Sequence, residues 1–254
     1  MKKETILEIE GLSKQYASKR GVDQITLRIN KGDIYGFFGP NGAGKTTVMK
    51  IVAGLCRADR GRVRLFGIDA QEEHEAAMRR VGVLIEKAEA YEYMSAYKNL
   101  AIAARLYPEL PKSRIDEVLE LVGLGANKHE KVGRYSLGMK QRLGIASAML
   151  SKPDLLILDE PTNGLDIEGM VAMRELIAKL AREEGTTFFL SSHLIAEMER
   201  VCNRIGIMHQ GRLIREFSMH ELRETGESLE LYYVTQLRME RGGEPYEAAA
   251  IGYH

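Results

Sequence analysis

The strongest constraint on the fold is segment 39–47, which reads GPNGAGKTT and matches the pattern G-x-x-x-x-G-K-[ST]. The apolar residues 34–38 before it predict a buried strand, and the mostly apolar residues 48–52 after it predict the start of a helix. A phosphate-binding loop requires this order of strand, loop and helix. A simple glycine-rich turn is the alternative, but it leaves the lysine and the threonine without a role.

The residue types of this segment fit the chemistry of phosphate binding. Its glycines allow backbone conformations that a Cβ atom would forbid, so amide groups approach phosphate oxygens at the start of a helix, where the partial charge is positive. Lys45 supplies a full charge for the β- and γ-phosphates, and the Thr46 hydroxyl is predicted to bind Mg²⁺. The predicted nucleotide-binding residues of the loop are Gly39, Asn41, Gly42, Ala43, Gly44, Lys45, Thr46 and Thr47.

Composition limits the class of protein. The 254 residues are 44% hydrophobic, which suffices for one domain with a sizeable core. Lys plus Arg and Asp plus Glu both number 36, so the net charge is zero and we expect no nucleic-acid partner. Cys56 and Cys202 lie far apart in apolar helical contexts, which is typical of reduced core cysteines in a cytosolic protein. No apolar run approaches the roughly 18 residues of a membrane span, so we expect another chain to do any crossing.

The first half of the chain predicts strands and then helices. Alternating apolar residues between positions 6 and 29 predict a small antiparallel sheet, and residues 81–85 predict an apolar strand that ends at Glu86. From residue 96 to about 125 the apolar residues recur at helical spacing. This pattern predicts a helical lobe inserted between strands that are neighbours in one sheet.

The second half repeats strand and helix units. Residues 155–158 predict a buried parallel strand that runs into Asp159 and Glu160, and residues 186–190 predict another strand, followed shortly by His193. Further along, Gln210 and Gly211 predict the turn of a hairpin, and residues 218–221 fit a capping box that opens a short helix. Beyond Gly226 the pattern fades, and the glycines and proline at positions 242–245 predict a loosely ordered tail.

These patterns predict an α/β fold with a mainly parallel sheet covered by helices. Ligands of such sheets bind beyond the carboxyl ends of the strands. Because the phosphate loop, Glu86, Asp159, Glu160 and His193 all follow predicted strands, we expect them to converge on one nucleotide.

The two adjacent carboxylates have distinct predicted roles. Asp159 ends an apolar strand, as expected for the carboxylate that holds Mg²⁺ through water opposite Thr46. Glu160 is placed to orient or deprotonate the attacking water. A helix-start signal is the alternative interpretation of such a pair, but the apolar strand and the phosphate loop favour the catalytic one.

One further segment indicates a family. Residues 135–142 read YSLGMKQR and open a predicted helix with Ser136 as its N-cap. In this position the segment resembles the signature sequence of ABC ATPases. Residues 163–166, NGLD, match the D-loop of that family, and His193 matches its switch histidine. The chain up to about Glu221 therefore resembles the nucleotide-binding subunit of an ABC transporter.

The resemblance implies an ABC ATPase domain over residues 1–221 and a weakly defined tail over residues 222–254. It implies a P-loop NTPase core with a mainly parallel sheet, a small antiparallel β-subdomain and an inserted helical subdomain at about residues 88–150. It also implies a chain that uses ATP and Mg²⁺ and powers export through an integral membrane permease, from the cytoplasmic face of the cell membrane.

The resemblance further implies two copies arranged head to tail, with each ATP between the phosphate loop of one and the signature of the other. A homodimer is the simpler expectation, because both halves of a site are present in this chain. Tyr16 would stack on adenine, although a lone loop tyrosine is more often a surface residue. Ser136, Gly138 and Gln141 would contact the partner's ATP, and Asp166 would link the two sites. The implied catalytic residues are Glu160, His193 and Lys45, and the implied metal ligands are Thr46, Glu86 and Asp159.

Two positions depart from the usual family pattern. Leu137 stands where a second glycine is common, which leaves Gly138 as the closely approaching residue. Glu86 stands where most members have a glutamine, and this feature resembles the branch that exports bacitracin-type and lantibiotic peptides for self-protection or resistance. The extra negative charge lies near the γ-phosphate, where Lys87 is a candidate to offset it. Neutral drift between glutamine and glutamate is the alternative explanation.

Two other classes of protein fit the sequence less well. A soluble ABC-type regulator of ribosomes or DNA usually has two ATPase domains or a long coiled coil, and the neutral charge also disfavours it. A P-loop kinase or GTPase leaves residues 136–142 and His193 without a role.

Overall fold

The computed structural model describes residues 4–17, 20–86 and 89–240. The strands are β1 (Thr5–Gln15), β2 (Gly21–Asn30), β3 (Ile34–Phe38), β4 (Arg60–Leu65), β5 (Ile68–Asp69), β6 (Val81–Leu84), β7 (Leu155–Leu158), β8 (Thr187–Ser192), β9 (Arg204–His209) and β10 (Arg212–Ser218). The α-helices are α1 (Lys45–Val52), α2 (His74–Met78), α3 (Ala96–Ala103), α4 (Ser113–Leu121), α5 (Leu137–Ala148), α6 (Ile167–Glu183), α7 (Ile195–Val201), α8 (Met219–Thr225) and α9 (Leu229–Glu240). Within the described ranges, no helix combines the length and the apolar character that crossing a bilayer requires.

The strands form two sheets, as predicted. The smaller sheet has the order β2-β1-β4-β5, and its described pairings are antiparallel. Ile25, Leu27 and Ile29 alternate along β2 and are buried, because one face of the sheet packs on α1. The antiparallel sheet therefore covers the helix that follows the phosphate loop.

The larger sheet has the order β10-β9-β3-β8-β7-β6 and is parallel from β9 to β6. All four residues of β7 are buried because both faces of the sheet are covered. Leu84 pairs with Leu158, Leu158 with Leu190, and Phe38 with Ser192, so the carboxyl ends of four strands lie along one edge. The residues after β3, β6, β7 and β8 therefore emerge close together, which confirms the predicted α/β architecture.

Helices α3, α4 and α5 lie between β6 and β7 in the chain. Their buried side chains, such as Leu100, Val118 and Ile145, join the apolar cluster that covers one face of the larger sheet. The insertion predicted from helical spacing is thus present. It carries the signature segment at the start of α5, close to the sheet edge.

The C-terminal third contains two confirmed details and one element that the pattern did not predict. Gln210 (φ 46°) and Gly211 (φ 81°) form the turn between β9 and β10, and Ser218 forms a capping box with Glu221. Helix α9 follows Gly226, where the sequence pattern fades. Its aromatic side chains pack on the core, with Tyr233 5.0 Å from Phe38 between ring centroids. The predicted loose tail at 242–245 and Lys87 lie outside the described residues.

Candidate nucleotide-binding site

The phosphate loop forms the floor of a cleft of about 450 Å³ at the carboxyl edge of the larger sheet. Gly44 has a φ of 103° and directly precedes α1, so it has no side chain with which to cap the first amides of the helix. A Cβ atom at Gly44 would lie 2.5 Å from Val22 Cγ1, and one at Gly39 would lie 2.3 Å from the Met208 carbonyl oxygen. The loop therefore needs both glycines, and the helix start presents free N–H groups to an anion. The cleft is lined by Tyr16, Arg20, Gly21, Asn41, Gly42, Ala43, Gly44, Lys45, Thr46, Thr47, Glu160, Asn163 and His193.

Lys45 is held inside the loop. Its side chain is almost fully buried, and Nζ donates hydrogen bonds to the carbonyl oxygens of Gly39 (2.7 Å) and Pro40 (3.3 Å). The same ammonium lies 3.2 Å from Glu160 Oε1. The structure thus places the predicted phosphate-binding cation and the predicted catalytic carboxylate in direct contact.

Thr46 and Asp159, two of the predicted metal ligands, are in direct contact. The Thr46 hydroxyl donates to Asp159 Oδ2 at 2.8 Å, and the Ser191 hydroxyl donates to Asp159 Oδ1. Ser191 Oγ also accepts the backbone N–H of Glu160 at 2.9 Å. Ser191 therefore fixes both carboxylate residues, a role that sequence reasoning missed although the serine lies only two residues before His193.

The oxygen donors of this site fit Mg²⁺. That ion prefers oxygen ligands and usually takes only one or two carboxylates from the protein, with water and phosphate supplying the rest. Thr46 and Asp159 supply a hydroxyl and a carboxylate 2.8 Å apart. Among the described residues, no group of three or more His, Cys, Asp or Glu side chains lies close enough together to hold a metal ion.

Glu160 and His193, both predicted to be catalytic, are in direct contact. His193 Nδ1 lies 2.8 Å from Glu160 Oε2, and because a carboxylate only accepts hydrogen bonds, the imidazole is the donor. Glu160 has a φ of 49°, a left-handed conformation that glutamate seldom adopts. Such strain persists where surrounding contacts fix a residue, and here Lys45, His193 and Ser191 do so.

Tyr16, the residue predicted to stack on adenine, lines the same cleft. The side chain is 39% exposed, and its hydroxyl lies 3.6 Å from Cys56 Sγ. The hydrogen bond with Cys56 raises the pKa of the Tyr16 phenol. Both cysteines are free: Cys202 is buried in the core, where burial raises the pKa of its thiol, whereas Cys56 is only half-buried.

Glu86 lies two residues beyond β6, but its carboxylate is paired with Lys50. The distance from Lys50 Nζ to Glu86 Oε1 is 2.5 Å, and this hydrogen bond lowers the pKa of Glu86. Lys50 was not among the predicted residues. The available signal was its spacing, because a lysine four residues after Thr46 lies on the same face of α1.

The signature residues form a second cleft of about 470 Å³. Ser136 caps α5 by accepting the Met139 N–H at 3.2 Å, and Asp166 caps α6 by accepting the Gly169 N–H at 2.8 Å. Gly138 and Leu137 also line this cleft, and it shares no lining residue with the phosphate-loop cleft. One chain thus carries the predicted phosphate-loop residues and the predicted signature residues on two separate surfaces.

Gln141 does not join the other signature residues. Its side chain is buried, and Oε1 has no hydrogen-bond partner among the described residues. Ile145, which is also buried, lies one helical turn after Gln141 on the same face of α5. The Gln141 side chain therefore faces the core and does not line the signature cleft. This placement does not fit the expected contact with a partner's ATP.

Comparisons with known proteins agree with this geometry. The ABC transporter family profile matches residues 22–163. The bacitracin transport ATP-binding protein BcrA of Bacillus licheniformis is 44% identical over 220 residues, which cover 87% of this chain and 72% of that protein. The lantibiotic transport ATP-binding protein SrtF of Streptococcus pyogenes is 37% identical over 236 residues, 93% of this chain and 99% of the relative.

Solved structures show the same relationship. The ATP-binding subunit of an ABC transporter superposes with a TM-score of 0.78 at 28% identity, covering 91% of this chain and 99% of the other. CbiO1 from Clostridium perfringens, part of the cbiONQ transporter complex, superposes with a TM-score of 0.79 at 26% identity, covering 94% and 98%. The chain therefore belongs to the ABC transporter family and is an ATP-binding subunit with ATPase activity.

Proposed function

We propose that ATP hydrolysis by this chain powers the export of an antimicrobial peptide of the bacitracin or lantibiotic type. Export would proceed through a separate membrane permease, with this chain bound at the cytoplasmic face. The observation that carries the proposal is the similarity to bacitracin and lantibiotic transport proteins in a chain that also has a glutamate at position 86. Residues 1–221 form the ATPase unit in this proposal.

The side chains of the cleft divide the work of hydrolysis. The loop amides and Lys45 hold the phosphate chain, so the γ-phosphate lies beside the carboxylate that already contacts this lysine. Glu160 orients and deprotonates the attacking water, and the hydrogen bond from His193 Nδ1 keeps that carboxylate in position. Thr46 and Asp159 hold Mg²⁺, which when bound neutralises negative charge on the phosphates.

Dimerisation completes each site. Ser136 caps α5 and Gly138 lies in its first turn, so Ser136 and the backbone N–H of Gly138 suit a γ-phosphate presented by the phosphate loop of a second copy. Since one chain contains both separate surfaces, two copies arranged head to tail form two equivalent sites. Asp166 lies in the signature cleft and is the residue we place between these sites.

Purification from detergent-solubilised membranes tests the transporter assignment. A tagged chain should recover a stoichiometric membrane protein with several helices, and the recovered pair should hydrolyse ATP. Recovery of the chain alone or with ribosomes would contradict the proposal and favour a soluble regulator.

A resistance assay tests the peptide class. Cells that express the chain with its permease should tolerate more bacitracin or lantibiotic than cells that express Glu160→Gln with the same permease. Equal sensitivity of the two strains to both peptide classes, with normal ATPase activity of the unmutated chain, would leave hydrolysis standing and reject the peptide substrate.

A further inference from the structure

The ion pair between Lys50 and Glu86 joins two elements that meet at the nucleotide site. Lys50 lies in the last turn of α1, one turn after Thr46, and Glu86 lies just beyond the carboxyl end of β6. Leu84 at the end of β6 accepts the Asp159 N–H at 2.9 Å. The pair therefore links the helix of the phosphate loop to the strand edge that carries Asp159.

The contacts of Glu86 show where its carboxylate is held. Oε1 lies 2.5 Å from Lys50 Nζ, and no hydrogen bond joins Glu86 to Thr46 or Asp159 among the described residues. Glu86 has a φ of 67°, so the chain turns through the left-handed region at this residue. Asp159 is itself occupied by Thr46 and Ser191. The chain at Glu86 thus leaves the strand edge that carries Asp159, and the carboxylate of Glu86 is paired with Lys50.

The negative charges of Glu86 and Asp159 favour the protonated, cationic form of Lys50. The hydrogen bond to Glu86 raises the pKa of Lys50, and the negative charge of Asp159 adds to the effect. A glutamate next to bound phosphates would be repelled by them unless a cation accompanies it. Lys50 is the cation that the structure places there.

We propose that Lys50 is a positioning residue that holds the Glu86 carboxylate away from the metal site, so that Glu86 exchanges Lys50 for Mg²⁺ when Mg·ATP binds. The inference rests on the proposed hydrolytic site. The exchange keeps the carboxylate paired with a cation before and after binding. It also gives the glutamate at this position a role that a glutamine shares only weakly, because a neutral amide can accept a hydrogen bond from a lysine but forms no ion pair with it.

The ion pair between Lys50 and Glu86 is weak enough to be broken when Mg·ATP binds. The side chains of Lys50 and Glu86 are 33% and 65% exposed. Ion pairs with this exposure are weak, so releasing the carboxylate shifts the binding equilibrium by no more than about fivefold. A divalent cation at the same site competes successfully with such a contact.

A magnesium titration of nucleotide binding tests the proposal on the full chain. A fluorescent, non-hydrolysable ATP analogue at fixed concentration reports binding while the Mg²⁺ concentration is raised. Lys50→Met should lower the Mg²⁺ concentration at half-maximal binding by about two- to fivefold, because the carboxylate is then free. Lys50→Arg keeps the ion pair and should behave as the unmutated chain. In the Glu86→Gln background, Lys50→Met should cause no shift.

Lys128→Met is the matched control, because it breaks a similarly exposed ion pair with Asp116 that is remote from this site. It should leave the Mg²⁺ midpoint unchanged. Thermal melting checks that each variant is folded, and Lys50→Gln replaces Lys50→Met if the latter is not. An unchanged or raised midpoint for Lys50→Met, or an equal shift in that variant with and without Glu86, overturns the inference. If the unmutated chain showed no Mg²⁺-dependent binding of the nucleotide, the proposed hydrolytic site itself would be contradicted.

Discussion

At the scale of single residues, Lys45 is held by the loop in a fixed position for the predicted contact with phosphate. Its ammonium is fixed by two loop carbonyls and the Glu160 carboxylate, and the Lys45 side chain is only 6% exposed. Lys45→Ala should weaken ATP binding roughly tenfold to a hundredfold, since hydrogen bonds to charged groups contribute about 1.5–3 kcal/mol. Fluorescent-nucleotide titration measures the change, with Lys128→Ala as the control. Unchanged ATP affinity would contradict the assignment of the loop.

Tyr16 is the residue expected to contact the base. Stacking of a base on an aromatic ring contributes about 1–3 kcal/mol, so Tyr16→Ala should reduce ATP affinity about tenfold. Tyr16→Phe keeps the ring and loses only the contact of the hydroxyl with Cys56, so its affinity should match the unmutated chain. Equal losses in both variants would show that the hydroxyl, and not the ring, matters.

The sequence predicted the contiguous parts of the site better than the parts assembled by folding. Lys45, Thr46 and Asp159 stand in motifs whose spacing defines their chemistry. Ser191 contacts Asp159 across 32 positions of sequence, and Lys50 contacts Glu86 across 36, so these partners depend on strand order and register. The burial of Gln141 was not predicted, because a local motif does not reveal which side of a helix faces the core.

At the scale of elements, the β9–β10 turn supports the phosphate loop. The Gly211 N–H donates to the Ala43 carbonyl at 3.0 Å, while the Gly211 carbonyl accepts the Asp23 N–H at 2.8 Å. A Cβ atom at Gly211 would lie 2.5 Å from the Gly21 carbonyl oxygen. Gly211→Ala should therefore displace the loop and weaken ATP binding about tenfold, measured by nucleotide titration below the melting temperature.

Gly226→Ala provides the control for this prediction. Gly226 has a similar φ of 72°, but a Cβ atom there would meet nothing within 4 Å. The backbone strain should lower the free energy of unfolding by roughly 1 kcal/mol and leave ATP affinity unchanged. If both alanine variants bind ATP as the unmutated chain does, the turn has no part in shaping the loop.

Glu216 links β10 to the neighbouring strands and gives a pH dependence with a definite sign. Burial raises its pKa, while hydrogen bonding from Tyr35 and the charge of Arg204 partly offset that effect. Because the folded chain holds this proton more tightly than the unfolded chain, the contribution of Glu216 to stability grows as pH falls toward about 4.5. Urea unfolding should show the unmutated chain gaining stability relative to Glu216→Gln over that range.

Glu221 should give a pH dependence of stability opposite in sign to that of Glu216. The hydrogen bond from the Ser218 backbone N–H in the capping box lowers the pKa of Glu221. The contribution of Glu221 to folding stability is therefore fully present at a pH above the usual glutamate pKa, and it is lost as the pH falls through the lowered pKa of the folded chain. The unmutated chain should therefore lose stability relative to Glu221→Gln as the solution is acidified. Parallel pH profiles for the two glutamine variants would contradict both assignments.

Elements with strong local patterns were predictable, and those held by long-range packing were not. The buried strand β7 and the β9–β10 hairpin follow from apolar runs and turn residues. Helix α9 was missed because its aromatic residues pack on Phe38 and Phe217, which lie in distant parts of the sequence. The sheet order, with β3 between β8 and β9, likewise depends on tertiary pairing.

At the scale of the whole molecule, the two clefts explain why ATP would bring two chains together. The phosphate-loop cleft contains the hydrolytic side chains, whereas the signature cleft offers a helix start and no catalytic carboxylate. In the proposed dimer, contacts between a γ-phosphate and Ser136 would exist only when two copies meet. Binding energy from these contacts would favour the proposed closed dimer, and hydrolysis would remove them.

Size measurement of the Glu160→Gln variant tests this central claim most directly. Glutamine keeps the shape of the side chain but cannot accept a proton from water, so the variant should bind Mg·ATP without hydrolysing it. Gel filtration with light scattering should show a dimer in saturating Mg·ATP and a monomer with ADP or without nucleotide. A variant that binds Mg·ATP and remains strictly monomeric at saturation would contradict the account of two chains closing around ATP.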